Sequence, residues 1–198
     1  IHKGLQGSYS DLVKDVQEKY GVELTSVGAL GISAMMHGYM PFDKEGNLLV
    51  PFRTWRNNIT GEASEKLMEL FQYNIPQRWS IAHLYQAILN GEEHVKDIDY
   101  MCTLEAYVHR MLTGKRVLGI GDAAGMFPVD SKKKDYNQEM VEKFDKLVES
   151  YGFPWKLRDI MPEVMVAGQD AGTLTEEDLR RRVREVFEKT AEGYCYCP

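Results

Sequence analysis

Apolar positions along this chain follow two rhythms, a helical spacing of three to four residues and short unbroken runs. In "SYSDLVKDVQEKYG" Leu12, Val13, Val16 and Tyr20 keep the helical spacing, with Ser8 or Ser10 placed to cap the first turn. In "GEASEKLMELFQYN" Ala63, Leu67, Leu70 and Phe71 share one face behind the capping residue Thr60, and Pro76 breaks the pattern. A helix from Ser80 through "IAHLYQAIL" stops at Asn90-Gly91. Thr103 caps "LEAYVHRMLTG", which stops at Gly114, and Asn137 caps "QEMVEKFDKLVESYG". A last helix is expected from Thr175 through "EEDLRRRVREVFEKTAEG", with acids in its first turn and Arg180 to Arg184 further on, as the helix dipole favours. The unbroken runs are different. "SVGALGIS" predicts a buried strand leading to Met35, Met36 and His37, and "YMPFDKEGNLLVPF" predicts a hairpin turning at Asp43 to Gly46. "VLGIGDAAGMFPVD", residues 117–130, predicts a strand and a tight turn carrying the acid Asp122. Helices and strands intermix, so the class is α/β. No internal repeat, low-complexity stretch or Ser/Pro-rich linker interrupts the pattern.

Composition narrows the classes of function. The 198 residues suit one domain with a real core, and 43% hydrophobic with 27% charged residues is ordinary globular composition. A net charge of −6 argues against nucleic acid as a partner, because no basic surplus exists to neutralise phosphates. No apolar run approaches the roughly 18 residues of a membrane span, so no membrane is expected as a partner. Three cysteines, Cys102, Cys195 and Cys197, suit a reducing, cytoplasmic compartment better than a disulfide framework. The chain opens at Ile1 close to a helical pattern and closes on "GYCYCP", which reads as a piece of a longer protein, truncated at both ends.

Candidate chemistry begins at Asp122, for which three readings compete. It is a turn residue whose carboxylate bonds nearby amides, part of a phosphate loop, or a base at the end of a strand. Gly119, Gly121 and Gly125 give G-x-G-x-x-x-G, one residue longer than the dinucleotide fingerprint, and Pro128 stands where a helix should open. Gly114-Lys115 lacks the other residues of a P-loop. "GISAMMHGYM" sets Met36, His37 and Gly38 at the exit of the predicted strand, where a polar ring suits a pocket wall as well as a structural role. "FRTWRNNIT" offers the flat face of Trp55 beside Arg53, Arg56, Asn57 and Asn58. A sugar needs that mixture, because its C–H faces pack on aromatic rings and its hydroxyls need paired donors and acceptors. His37, His83, His94, Cys102 and His109 show no metal-ligand spacing, so no metal site is expected from these residues. No G-x-S-x-G elbow is present, and "SKKKD" reads as a solvated turn.

Taken in register, these stretches resemble the sugar-binding half of the FGGY carbohydrate kinases. "GISAMMHGYMPFDKEGNLLVPFRTW" is similar to that family's strand, M-H-G loop, hairpin and following tryptophan. "RMLTGKRVLGIGDAAGMFPVD" is similar to its L-T-G helix end and S-D-A-S-G-type catalytic segment, and "VMVAGQDAGTLTEE" to the stretch where its first domain hands over to the second. The match spans roughly residues 8 to 178. It implies an α/β fold of the ribonuclease H-like, actin-like ATPase kind, a mixed sheet flanked by helices, over residues 1–178, with residues 179–198 a helical tail. It implies ATP-dependent phosphorylation of a sugar hydroxyl, a ketose such as xylulose or a related sugar, with ATP and Mg2+ as cofactors held mainly by other parts of a parent protein. Asp122 falls on the catalytic aspartate, Met36 and His37 on the sugar-contacting pair, and Trp55 with the Asn57 loop on the sugar pocket. Asn57 and Ile59 stand where an acid and an arginine are frequent, Gly119 and Gly121 replace an acid and a serine, and Ala106 stands where an aspartate is frequent. The expected partner is the sugar substrate, with a homodimer left open. The resemblance leads to the expectation that this polypeptide alone phosphorylates nothing. The alternative is a sugar-binding or regulatory module that kept the pocket and lost catalysis. A purely structural α/β domain would instead leave Asp122 facing solvent.

Overall fold

The computed structural model describes residues 1–174, so the helix expected from Thr175 and the tail at 179–198 lie outside the described residues. Contacts divide the chain into a unit at Ile1–Ile32 and a second unit that begins at Ser33.

The first unit is helix α1, His2–Tyr20, followed by irregular backbone. The helix starts ahead of the expected Ser8 or Ser10 cap, so both serines lie inside it and no side chain caps it at Ile1. Gly21, at φ 64°, closes it in the left-handed conformation that glycine adopts without strain. Salt bridges one turn apart, Lys19–Asp15 and Lys14–Glu18, line its exposed surface. The strand expected over "SVGALGIS" is not formed: that stretch is irregular, with Val27 and Leu30 exposed. A strand needs a ladder partner for its backbone N–H and C=O groups, and no described strand pairs with it. Gly28 and Gly31 add nothing to pack and lower its propensity further.

The second unit holds the core. Strand β1, Met40–Phe42, runs antiparallel to β2, Tyr100–Cys102, pairing Met40 with Cys102 and Phe42 with Tyr100. The expected hairpin survives as a single bridge, Phe42 to Leu48, around a turn in which Asp43 bonds Asn47. Helices α2, Gly61–Phe71, and α3, Ser80–Leu89, follow as the spacing predicts. Thr60 sits at the cap position of α2, but its hydroxyl donates to the Gln77 carbonyl at 2.6 Å, tying the start of that helix to the loop before α3. Every residue from Ser80 to Ile88 is buried, which makes α3 the central post of the core. Helix α4, Leu104–Thr113, is capped by the Thr103 side chain and ends at Gly114. Strand β3, Val117–Gly119, then leads into α5, one helical turn at Ile120–Ala123. Short strands β4, Val129–Asp130, and β5, Asp135–Tyr136, form a hairpin. Helix α6, Gln138–Val148, is capped by Asn137, whose side chain accepts the Met140 N–H, and buries Val141, Phe144 and Val148 along one stripe. After α7, Leu157–Ile160, strand β6, Glu163–Met165, runs parallel to β3 with Leu118 opposite Val164.

Instead of one mixed sheet, the described residues form three separate two-stranded ladders. Strands of two or three residues pair one neighbour and leave little backbone for a second, so helices and aromatic contacts carry the core. Phe127 is the hub: its ring meets Phe71 of α2 at 5.7 Å and Tyr136 of β5 at 6.2 Å, both edge to face. That packing anchors the chain just beyond Asp122.

Candidate functional site

Asp122 lies in α5, where the backbone rolls up as soon as β3 ends. The Gly125 N–H donates to the Asp122 carbonyl at 2.9 Å and the Met126 N–H to the Ala123 carbonyl at 2.9 Å. The side chain points inward and is only 5% exposed. Its Oδ2 accepts a hydrogen bond from the Thr103 hydroxyl, at the junction of β2 and α4. Its Oδ1 is buried with no partner. Burial pushes the carboxyl up to about 7, the Thr103 hydrogen bond pulls against that, and the nearby Glu105 charge adds to the rise. Neither the turn-residue reading nor the solvent-facing acid of a purely structural domain fits this environment. Gly119 and Gly121, on either side of Ile120, are exposed, and an added methyl would meet nothing within 4 Å at either. Both glycines therefore leave open space around the backbone on either side of Ile120.

The structure brings His37 to this segment. Its Nδ1 lies 3.2 Å from the Gly125 carbonyl oxygen, three residues beyond Asp122. A carbonyl only accepts, so Nδ1 carries the proton and Nε2 keeps a free lone pair. Burial lowers the His37 pKa against the opposing pull of the Gly125 bond, which keeps the ring neutral. The approach is close enough to require glycine at 125, because a methyl there would lie 2.5 Å from the Met36 carbonyl oxygen and 2.8 Å from His37 Nδ1. Met36 itself is half-exposed beside the loop. Gly38, at φ 109°, continues the contact: its N–H donates to the Arg78 carbonyl at 3.2 Å, and the Ser80 hydroxyl donates to its carbonyl. The His37 loop is thus clamped between the start of α3 and the Asp122 turn, although the strand expected to deliver it is absent.

Trp55 and Asn57 come less directly. Arg53 exchanges backbone bonds with Tyr39, at 2.9 and 3.3 Å, which sets the following loop next to the His37–Gly38 segment. Trp55 is exposed, with the Arg56 guanidinium 5.1 Å from its ring centre, so a flat apolar face is on offer. Asn57 is engaged within its own loop, its N–H bonding the Thr54 carbonyl and its Oδ1 accepting the Ile59 N–H.

Two sets of contacts here carried no signal in the sequence pattern. Thr103 reads only as a helix cap, and its bond to Asp122 joins positions that are 19 residues apart. Behind the loop, Arg53 pairs with Glu92, whose carboxyl burial pushes up and Arg53 pulls further down. The Tyr39 hydroxyl meets His94 Nε2 at 2.9 Å, and the fully buried His83 stacks on the Tyr39 ring at 6.3 Å. Among the described residues, no group of three or more His, Cys, Asp or Glu is placed to hold a metal ion.

Comparison with known proteins decides the family. The family model for the FGGY family of carbohydrate kinases, N-terminal domain, matches residues 4–181. The chain belongs to the FGGY carbohydrate kinase family. A curated xylulose kinase from Staphylococcus xylosus is 23% identical over 157 residues, covering 75% of this chain and 30% of that protein. The crystal structure of ligand-bound xylulose kinase from Lactobacillus acidophilus matches with a TM-score of 0.69 at 15% identity, over 91% of this chain and 36% of that one. Gluconate kinase from the same organism matches with a TM-score of 0.67 at 16% identity, over 86% of this chain and 34% of that one. At these identities the likeness establishes the sugar-kinase fold, and the chain spans about a third of the length of these relatives.

Proposed function

We propose that this chain is the sugar-binding part of an ATP-dependent sugar kinase, with Asp122 as general base and a ketose such as xylulose as acceptor. The observation that supports the reading is the His37–Gly125 contact, which brings an imidazole to the turn that also carries Asp122, a buried carboxyl group with an unpartnered oxygen. Phosphoryl transfer proceeds through a loose transition state, so catalysis rests on positioning the attacking hydroxyl and taking its proton late. Asp122 Oδ1 accepts that proton. With its carboxyl pushed up to about 7, the group matches the working pH that favours a general base. His37 Nε2 accepts a hydrogen bond from a neighbouring hydroxyl. Met36 borders the same loop, Trp55 offers its face to the C–H side of the sugar, and the Asn57 loop closes that side. ATP supplies the phosphoryl group from parts of the parent protein outside this sequence, and the ribonuclease H-like core is the fold variant we assign. A ketose is favoured by the relative named xylulose kinase, and the relative named gluconate kinase makes an aldonate the next candidate.

The test combines binding and turnover. Xylulose or gluconate at saturating concentration should raise the melting temperature of this chain, and glycerol should not. In a parent protein carrying both domains, Asp122→Asn should abolish turnover while sparing that shift. This chain alone should show no turnover with ATP, magnesium and the sugar. A shift with no turnover in the wild-type parent would leave a sugar-binding module and remove the kinase reading.

A further inference from the structure

The loop that carries Trp55 and Asn57 starts at Arg53 and ends in the first turn of α2, and one run of side chains holds both ends. The Thr60 hydroxyl is spent on the Gln77 carbonyl, so it supplies no cap bond to α2. The Ala63 N–H, in that first turn, donates instead to Gln86 Oε1 of α3 at 3.2 Å. Gln86 Nε2 donates to Asn90 Oδ1 at 3.0 Å, and Asn90 Nδ2 donates to Glu92 Oε1 at 3.3 Å. The other oxygen of Glu92 accepts from Arg53. His94 Nδ1 lies 3.6 Å from that same oxygen. A proton on Nδ1 faces the carboxylate, so Nε2 accepts from the Tyr39 hydroxyl at 2.9 Å. Tyr39 closes the circuit through its backbone bonds with Arg53.

We propose that Glu92 is a positioning residue for the Trp55 loop, holding Arg53 at its start directly and the Ala63 amide at its end through Asn90 and Gln86. The inference deepens the sugar-binding reading of Trp55, rests on it for its functional meaning, and needs no role for Asp122. A side-chain amide can turn over and exchange its oxygen for its NH2 group with little change in shape. A carboxylate only accepts, so Glu92 makes Asn90 present Nδ2. That leaves Asn90 Oδ1 for Gln86 Nε2, and Gln86 Oε1 for the Ala63 N–H. Each bond fixes the sense of the next. The pair of Arg53 and Glu92 is mostly buried, and the guanidinium keeps the carboxylate ionised against that burial. Trp55 itself is exposed, so its loop takes its position from the two ends.

The test uses this chain with 5-fluorotryptophan at its three tryptophans, each fluorine signal assigned from its absence in the single phenylalanine variant. Trp155 is the internal control, because its Nε1–H donates to the carbonyl of Val95, just beyond Glu92. Glu92→Gln keeps the shape and frees the amides to turn over. It should shift and sharpen the Trp55 signal, leave Trp155 in place, and weaken xylulose binding roughly tenfold or more, as loss of a hydrogen bond to a charged group implies. Gln86→Met, which cuts only the arm to α2, should also sharpen the Trp55 signal, and the double variant should match Glu92→Gln alone. In wild-type protein the Ala63 amide should exchange slowly with solvent, a readout that needs no variant to fold. An unmoved Trp55 signal or unchanged xylulose affinity in a folded Glu92→Gln, or rapid exchange of the wild-type Ala63 amide, overturns the proposal. So does a Trp155 signal that moves with Trp55, because Glu92 would then hold only its own turn. The sugar reading fails separately, by absence of a sugar-induced thermal shift in wild-type protein with the fluorine results intact.

Discussion

Burying Asp122 costs the folded protein stability whenever its carboxyl group is ionised. Its pKa is raised from 3.8 to about 7, so the folded state binds the proton more tightly than the unfolded chain does. The favourable contribution of the protonated form is complete below about pH 4 and is lost as pH rises toward 7. Asparagine has the same shape and no charge, and the Thr103 hydroxyl can still donate to its amide oxygen. Asp122→Asn should therefore match wild type near pH 4 and exceed it above pH 7 by roughly 1–4 kcal/mol, the upper figure being the full shift converted at about 1.4 kcal/mol per unit. Urea unfolding at the two pH values measures this, and equal stability at both would show that the carboxyl group is not held against its charge. A gain in stability on removing the Asp122 charge would agree with the catalytic role proposed for it. The sequence already singled out Asp122 and His37, because an acid and an imidazole beside glycines are odd within apolar runs. It could not show Thr103 in its second role, since nothing local to a helix cap indicates which distant side chain its hydroxyl meets.

At the scale of elements, the site is one turn, α5 with Gly125, pressed against one loop, Met36 to Gly38. The contact has no room for a side chain. Gly125→Ala would drive a methyl into the Met36 carbonyl, which is backbone and cannot swing aside. Overpacking of this kind costs about 1–3 kcal/mol. We expect Gly125→Ala to lower the melting temperature and weaken the sugar-induced shift. Gly121→Ala, whose methyl meets nothing, should fold with wild-type stability. Thermal melts of the two variants with and without sugar check this, and equal melting temperatures would mean that the two segments are not in contact. The elements themselves were unevenly legible. Helices α4 and α6 announced themselves through their capping residues, Thr103 and Asn137, and α3 through the Asn90-Gly91 stop that ends it, all of them local chemistry. The pairing of β1 with β2 joins segments some 60 residues apart, and that of β3 with β6 some 46, separations that no local pattern encodes. "SVGALGIS" shows the converse error, a run with strand composition and no described partner to pair with.

Across the whole molecule, the pH response is the sum of buried groups pulling in opposite directions. His83 is fully buried with neither ring nitrogen partnered, and burial holds its pKa down to about 4, with the Arg53 charge adding to the fall. A depressed histidine contributes stability that is complete above about pH 6.5 and is lost as pH falls toward 4. Burial lowers the pKa of His37 and His94 as well, and they act in the same direction. Asp122 does the reverse over nearly the same window, losing stability as pH rises. The contributions of His83 and Asp122 oppose each other between pH 4 and 7. His83→Leu removes one side of that balance while keeping an apolar group against the Tyr39 ring. No hydrogen bond is lost, because none is made. Relative to wild type, the variant should therefore be more favourable near pH 5 than near pH 8, by about 2 kcal/mol if the histidine shift is as large as its burial implies. Its own stability should then fall more steeply with rising pH, as Asp122 ionises with less to oppose it. Chemical unfolding at the two pH values reads the difference, and a constant offset between variant and wild type would mean that His83 is hydrated or charged in the folded protein.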